Sequence, residues 1–192
     1  MTLRKKQRLI IGITGASGAI YAVRLLELLK NTDIETHLIM SQAAKQTIVA
    51  ETDYTVQQVR ALADENHDFR DIGAKISSGS YRTLGMVILP CSIKTLSGIA
   101  HSYTNDLITR AADVCLKESK PLILCVRETP LHLGHLRLMV QAAEIGAKIT
   151  PLMPAFYHRP QTLDDIINQS INRLCDQLDI ELEQDLFQRW GD

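Results

Sequence analysis

Four short apolar runs, Arg8–Ile13, Glu35–Met40, Gly85–Pro90 and Leu122–Val126, are each followed by small or polar residues and then by a helical pattern. The runs are continuously apolar, not alternating. That is the mark of strands buried on both faces, and so of a parallel sheet with helices on each side. A fifth short run, Ala147–Thr150, extends the series. The expected fold is α/β: a three-layer, doubly wound parallel sheet. With 192 residues and neither repeat nor low-complexity linker, one domain over 1–192 is expected. In such a sheet the ligand lies beyond the carboxyl ends of the strands.

Between the strands, a helix is expected from Ala19, with Ile20, Val23, Leu25, Leu26 and Leu29 apolar. Others are expected from Ser41 to about Thr52, over Thr55–Glu65, from near Ser92, over Asn105–Ser119 and over Leu131–Ile145. Gly146 would close the last of these. Asn66–Arg82 reads as irregular, and Pro90 as the stop of its strand. Thr162–Leu178 reads as a long final helix with Thr162 as N-cap and Asp165 three residues on.

A net charge of −1 gives no global field for nucleic acid or an acidic membrane, and the basic run Arg4, Lys5, Lys6 and Arg8 reads as a solvated strand start. No stretch is apolar enough to span a bilayer, and no signal peptide is evident. Cys91, Cys115, Cys125 and Cys175 have no C-x-x-C spacing and read as small core residues in a reducing compartment. A cytoplasmic protein is expected. The six histidines are scattered, so no metal is expected.

The strand ends carry the chemistry. Thr14-Gly15-Ala16-Ser17-Gly18 follows the first strand and precedes a helix, where free amides and the helix dipole favour an anion. A dinucleotide site would want an acid after the second strand; Ser41 stands there, which suits a mononucleotide. Cys91-Ser92-Ile93-Lys94-Thr95 makes a second anion-friendly corner, with ordinary helix capping as the alternative. Arg127-Glu128-Thr129-Pro130 places a charged pair at a buried strand's end, where Arg127 could fork a phosphate and Glu128 orient it or move a proton. Tyr157, in Pro154-Ala155-Phe156-Tyr157-His158, could offer its hydroxyl to an anion. Arg110 and Lys117 share a helix face, with Asp106–Arg110 and Asp113–Lys117 as candidate i,i+4 pairs. Arg173 stands alone in the middle of the last helix.

Taken in order, Gly12-Ile13-Thr14-Gly15-Ala16-Ser17-Gly18-Ala19, Pro90-Cys91-Ser92-Ile93-Lys94-Thr95, Arg110-Ala111-Ala112-Asp113-Val114, Arg127-Glu128-Thr129-Pro130-Leu131 and Pro154-Ala155-Phe156-Tyr157 resemble the UbiX-like flavin prenyltransferases, including small subunits associated with phenolic-acid decarboxylases. The resemblance runs from about residue 8 to residue 190. It implies a flavodoxin-like or Rossmann-like fold, reduced FMN as acceptor, dimethylallyl phosphate as donor, and prenyl transfer to flavin N5 and C6 without a metal. Prenylated FMN would then serve a UbiD-like decarboxylase. The family forms large homo-oligomers, dodecamers among them.

By position, the resemblance assigns FMN contacts to Gly15, Ala16, Ser17, Ser41, Ser92, Ile93, Lys94, Thr95 and Arg127. It assigns Tyr157 and Arg173 to the prenyl phosphate. Arg110, Lys117 and Glu128 would complete the phosphate pocket, some from a neighbouring subunit. Glu51 matches an acidic residue near the flavin, and Trp190 a C-terminal tryptophan that helps cover the site. Where relatives commonly read I-H-L-E-N-M, this chain has Gly134-His135-Leu136-Arg137-Leu138-Met139. The change falls on a helix with a bearing on assembly. Two other readings stay open. One is a non-catalytic FMN carrier, which would not need a second set of cations. The other is a related flavin-dependent cysteine decarboxylase, whose histidine and clamp motif are not found.

Overall fold

The computed structural model describes residues 7–191, so Arg4, Lys5 and Lys6 lie outside the described residues. The chain divides into two compact units, Met1–Pro151 and Leu152–Asp192.

The first unit is an α/β fold on a six-stranded parallel sheet. Its strands are β1 (Gln7–Ile13), β2 (Ile34–Met40), β3 (Glu65–His67), β4 (Gly85–Cys91), β5 (Leu122–Val126) and β6 (Lys148–Ile149), in the order β3-β2-β1-β4-β5-β6. The helices are α1 (Ala19–Leu29), α2 (Gln42–Glu51), α3 (Val56–Leu62), α4 (Ile93–Ala100), α5 (Leu107–Lys117) and α6 (Leu133–Glu144). Chain order reverses between β1 and β4. The crevice of a doubly wound sheet opens at that switch point.

The sheet residues alternate between two buried faces. Ile10, Ile39, Met86, Ile88, Leu122 and Leu124 join Leu96 and Ile99 of α4 and Ile108, Ala111, Ala112 and Cys115 of α5 in one core. Helix α1 packs on β1, β2 and β4 and buries Ala22, Val23, Leu25, Leu26 and Leu29 completely; Ile20 is only half-buried. Each large side chain buried this way contributes about 1.5–3 kcal/mol. All four cysteines are buried free thiols, as expected, and burial pushes Cys91 up to about 12.

Two expectations need correction. The helix expected over Thr55–Glu65 stops at Leu62, and Glu65–His67 is an edge strand on β2. Its residues are polar because only one side of it is paired. Pro90 does not stop its strand, which runs to Cys91. The β4–β5 register skips from Ile88↔Leu124 to Cys91↔Val126, so Pro90 falls where the ladder has no need of its missing N–H.

The second unit holds α7 (Leu163–Gln177), closed at its N-terminus by the expected capping box. The Asp165 amide donates to Thr162 Oγ1 (3.2 Å), and the Thr162 amide to Asp165 Oδ2 (2.8 Å). After the helix, Arg189 forks Asp176 at 3.1 and 3.0 Å and also binds Asp185. Arg189 holds both carboxyls below their ordinary value of 3.8. A depressed folded value means stabilisation that is complete above the unfolded pKa and lost as pH falls through the folded one. Fluorescence of Trp190, the one tryptophan, should therefore hold steady down to about pH 5 and change below about pH 4. In Arg189→Met the change should begin at higher pH; coincident titrations would refute the clamp.

Candidate functional site

Four strand ends meet at the crevice, and backbone and hydroxyl bonds fix them to one another. Thr14, just past β1, is fully buried. Its Oγ1 donates to the Pro90 carbonyl (2.6 Å) and accepts from the Ser92 amide (2.8 Å). The Ser41 amide donates to the Ile13 carbonyl (3.0 Å), and the Arg127 amide to that of Cys91 (3.1 Å). The loops after β1, β2, β4 and β5 thus form one rim.

Gly15, Ala16 and Ser17 line the β1 loop, each half-buried. Gly18 takes φ 104°, a left-handed conformation open to glycine, and starts α1 without a side-chain cap. Glu51 supplies the missing acceptor: its Oε2 receives the Gly18 amide at 2.8 Å and the Ala19 amide at 3.4 Å. Helix α2 lies along the loop, with Ala43 against Gly15 and Glu51 at Gly18. An acidic group already sits where helix geometry favours an anion.

A Cβ on Gly15 would stand 2.4 Å from Ala43 Cβ, on a helix turn fixed by the Ser41 cap. Gly15→Ala is therefore expected to destabilise the chain by about 1–3 kcal/mol and to displace the loop. Urea unfolding reads the first effect. Adding Ala43→Gly should restore stability, and a double variant no better than the single one would refute the contact.

Ser41 and Ser92 both act as N-caps. Ser41 Oγ accepts from Ala44 N (3.1 Å) and Ser92 Oγ from Thr95 N (3.4 Å). Ser92 also donates to Thr95 Oγ1 (3.2 Å), whereas the Ser41 O–H bond remains able to donate outward. Lys94 is exposed, Ile93 half-buried, and Thr95 nearly buried. Lys94 and Thr95 open onto a cleft of about 550 Å³ between α4 and α5, further lined by Gly98, Tyr103, Asn105 and Asp106.

Beyond β5, Arg127 and Glu128 are exposed at the rim, and Glu128 Oε1 accepts from the Thr129 amide (3.0 Å). The cations of α5 pair differently from expectation. Asp106 is the N-cap and accepts from Thr109 N (2.9 Å), so Asp113 takes Arg110 (3.3 Å) and Lys117 turns to Glu118. Lys117 also lies far from this rim. It ends α5 just before β5 begins, at the strand-entry end of the sheet, beside Gly79.

In the second unit, Tyr157 packs edge-on to Trp190 (5.6 Å between centroids), and its hydroxyl accepts from Gln169 (3.3 Å). Arg173 is half-exposed on α7, paired with Asp176 at 2.6 Å.

What the residue patterns did not single out is the pair of hydrogen bonds made by the Thr14 hydroxyl. Its signal was slight: a hydroxyl between the last apolar strand residue and the first loop glycine.

A sheet of this order, a glycine loop and two capped helices at the switch point define a nucleotide-type α/β binding protein. A profile of the flavoprotein family matches residues 2–172, and the chain belongs to that family. Within it, the chain is 72% identical to the flavin prenyltransferase UbiX of Escherichia coli K12 over 185 residues, 96% of this chain and 98% of that one. A crystal structure of AnUbiX (PadA1) in complex with FMN and dimethylallyl pyrophosphate matches with TM-score 0.95 and 44% identity, over 98% of this chain and 99% of that one. A dodecameric FMN-dependent UbiX-like decarboxylase from E. coli O157:H7 matches at TM-score 0.92 and 46% identity, over 97% and 100%. The chain is a member of the UbiX-type flavin prenyltransferases.

Proposed function

We propose that this chain moves a dimethylallyl group from dimethylallyl phosphate onto N5 and C6 of reduced FMN. Prenylated FMN then passes to a UbiD-like decarboxylase. The observation that carries this is the near-complete match to a relative whose crystal structure holds FMN and a dimethylallyl donor. The crevice is suited to a flavin mononucleotide: the N-terminus of α4 and the Ser41 hydroxyl stand at the rim, where backbone amides and an O–H can reach a phosphate.

In this reading Gly15, Ala16, Ser17, Ser41, Ser92, Ile93, Lys94, Thr95 and Arg127 bind FMN. Tyr157 and Arg173 hold the prenyl phosphate, and Glu51 stands near the flavin. As the allylic C–O bond breaks, its electron pair leaves with the phosphate and a new bond forms to N5. Arg110, Lys117, Arg173 and the Tyr157 hydroxyl stabilise the charge gathering on the leaving group. N5 gives up its proton as it is alkylated; ring closure adds a proton to the prenyl C=C bond, joins its tertiary carbon to C6 and releases the C6 proton, which Glu128 receives. A dry pocket keeps water from the carbocation-like fragment. Residues 1–192 act as one prenyltransferase domain.

The place of Lys117 at the strand-entry end supports its serving a neighbouring subunit's pocket in a homo-oligomer such as a dodecamer. Exposed Leu133, Leu136 and Val140 on one side of α6 are surface that such an assembly would cover. The test mixes the chain anaerobically with reduced FMN and dimethylallyl phosphate. A flavin heavier by one prenyl unit is expected. Unchanged FMN with folded protein would replace this reading by that of a carrier.

A further inference from the structure

Register brings together residues that the linear chain scatters. His37 of β2 faces Glu65 of β3, and Ile39 faces His67. With a side-chain period of two, His37, Glu65 and His67 lie on one face of the sheet edge, the face of the α5 core. His37 Nδ1 is 3.0 Å from His67 Nε2 and 3.8 Å from Glu65 Oε2. The three candidate donor atoms lie within 4.8 Å of one another.

Hydrogen bonding settles the tautomer of His37. His37 Nε2 is 3.1 Å from Glu35 Oε1, a carboxylate that only accepts. Nε2 therefore carries the proton and Nδ1 accepts from His67 Nε2–H; zinc binding moves the His67 proton to its Nδ1 and frees Nε2. A carboxylate behind an imidazole is the arrangement that orients histidine ligands in metal sites. An ion with bonds of about 2.0–2.1 Å sets tetrahedral ligand atoms roughly 3.3 Å apart. The observed 3.0 and 3.8 Å bracket that spacing.

We propose that His37 Nδ1, His67 Nε2 and a Glu65 carboxylate oxygen form a zinc site that clips the edge strand β3 onto β2. Two nitrogens and one oxygen suit zinc, with water in the fourth position. Strand β3 has three residues and pairs with β2 alone, so a cross-strand ion would add most there. The site lies about 13 Å along β2 from Ser41, away from the crevice, and has no part in prenyl transfer. The groups around it are mixed: Lys75 holds Glu65 at 2.5 Å, and Arg8 holds Glu35 at 3.3 Å. Lys75 is half-exposed and competes with the ion for Glu65.

The test is zinc titration of the chelator-stripped full chain against a chromophoric chelator. Cobalt substitution gives the visible spectrum of the coordination. The native chain should take up one equivalent at this site and unfold at higher temperature with zinc. His67→Gln keeps an amide that can bond His37 but is expected to bind zinc about tenfold more weakly or worse. Lys75→Met frees Glu65 and should bind zinc more tightly, a gain that misfolding does not produce. Three results would overturn the proposal: no uptake by the native chain, equal affinity in His67→Gln, or no tightening in Lys75→Met.

Discussion

Arg173→Met is expected to bind reduced FMN as the native chain does and to lose prenyl transfer by about 10²–10³-fold or more. Preorganised donors act where charge develops, and a leaving phosphate develops it sharply. Removing one such donor typically costs about 3–4 kcal/mol of barrier. The structural cost should be small. The Arg173–Asp176 pair is half-exposed and spaced i,i+3, the kind worth well under about 1 kcal/mol. Asp176 keeps the two bonds from Arg189. Flavin titration with single-turnover product analysis separates the two effects. A variant that binds FMN poorly but reacts normally once saturated would reverse the assignment.

Thr14→Val is expected to loosen the crevice itself. Valine matches threonine in shape but removes one donor and one acceptor, both fully buried. The Ser92 amide is left without its partner, while the Pro90 carbonyl keeps only the long 3.3 Å bond from the Thr14 amide. Each buried group left unpaired costs about 1–3 kcal/mol. A loss of roughly 2–4 kcal/mol in unfolding free energy is expected, together with weaker FMN binding. Thr14→Ser keeps both bonds and should stay near native. Equal stability of the valine and serine variants would show that the bonds contribute nothing.

The parts legible in the sequence share a local cause. Leu9–Ile13, Leu38–Met40 and Leu122–Val126 announce themselves because both faces are buried and their residues are apolar; Glu35, Thr36 and His37 break that pattern. Thr162 with Asp165, and Ser92 with Thr95, are readable because a cap is closed within three residues. The rim from Gly15 to Ser17, with Ser41 and Arg127, follows from the rule that chemistry gathers at strand ends. What escaped depends on partners far away in sequence. Strand β3 is Glu-Asn-His, with no apolar signature, and exists only through its pairing with β2. Pro90 reads as a stop until the register skip beside β5 is known. Asp106 reads as a salt-bridge partner until its role as N-cap claims the carboxylate. His37, Glu65 and His67 become one group only when a parallel register sets them side by side. For the proposed catalytic residues, type and spacing indicated phosphate chemistry. Their individual roles came from resemblance.

The bond between Thr14 and Ser92 spans 78 residues of sequence. On the ribosome, at about 5–20 residues per second, that interval is roughly 4–16 s. During it the apolar strand β1 has no β4 beside it, and it can pair with β2 only once Met40 has been made. Its second edge stays open, and the first loop of the crevice lacks its anchor. Slow codons between positions 14 and 92 would lengthen that exposure, and with it the chance of aggregation, without altering a single atom of the finished molecule.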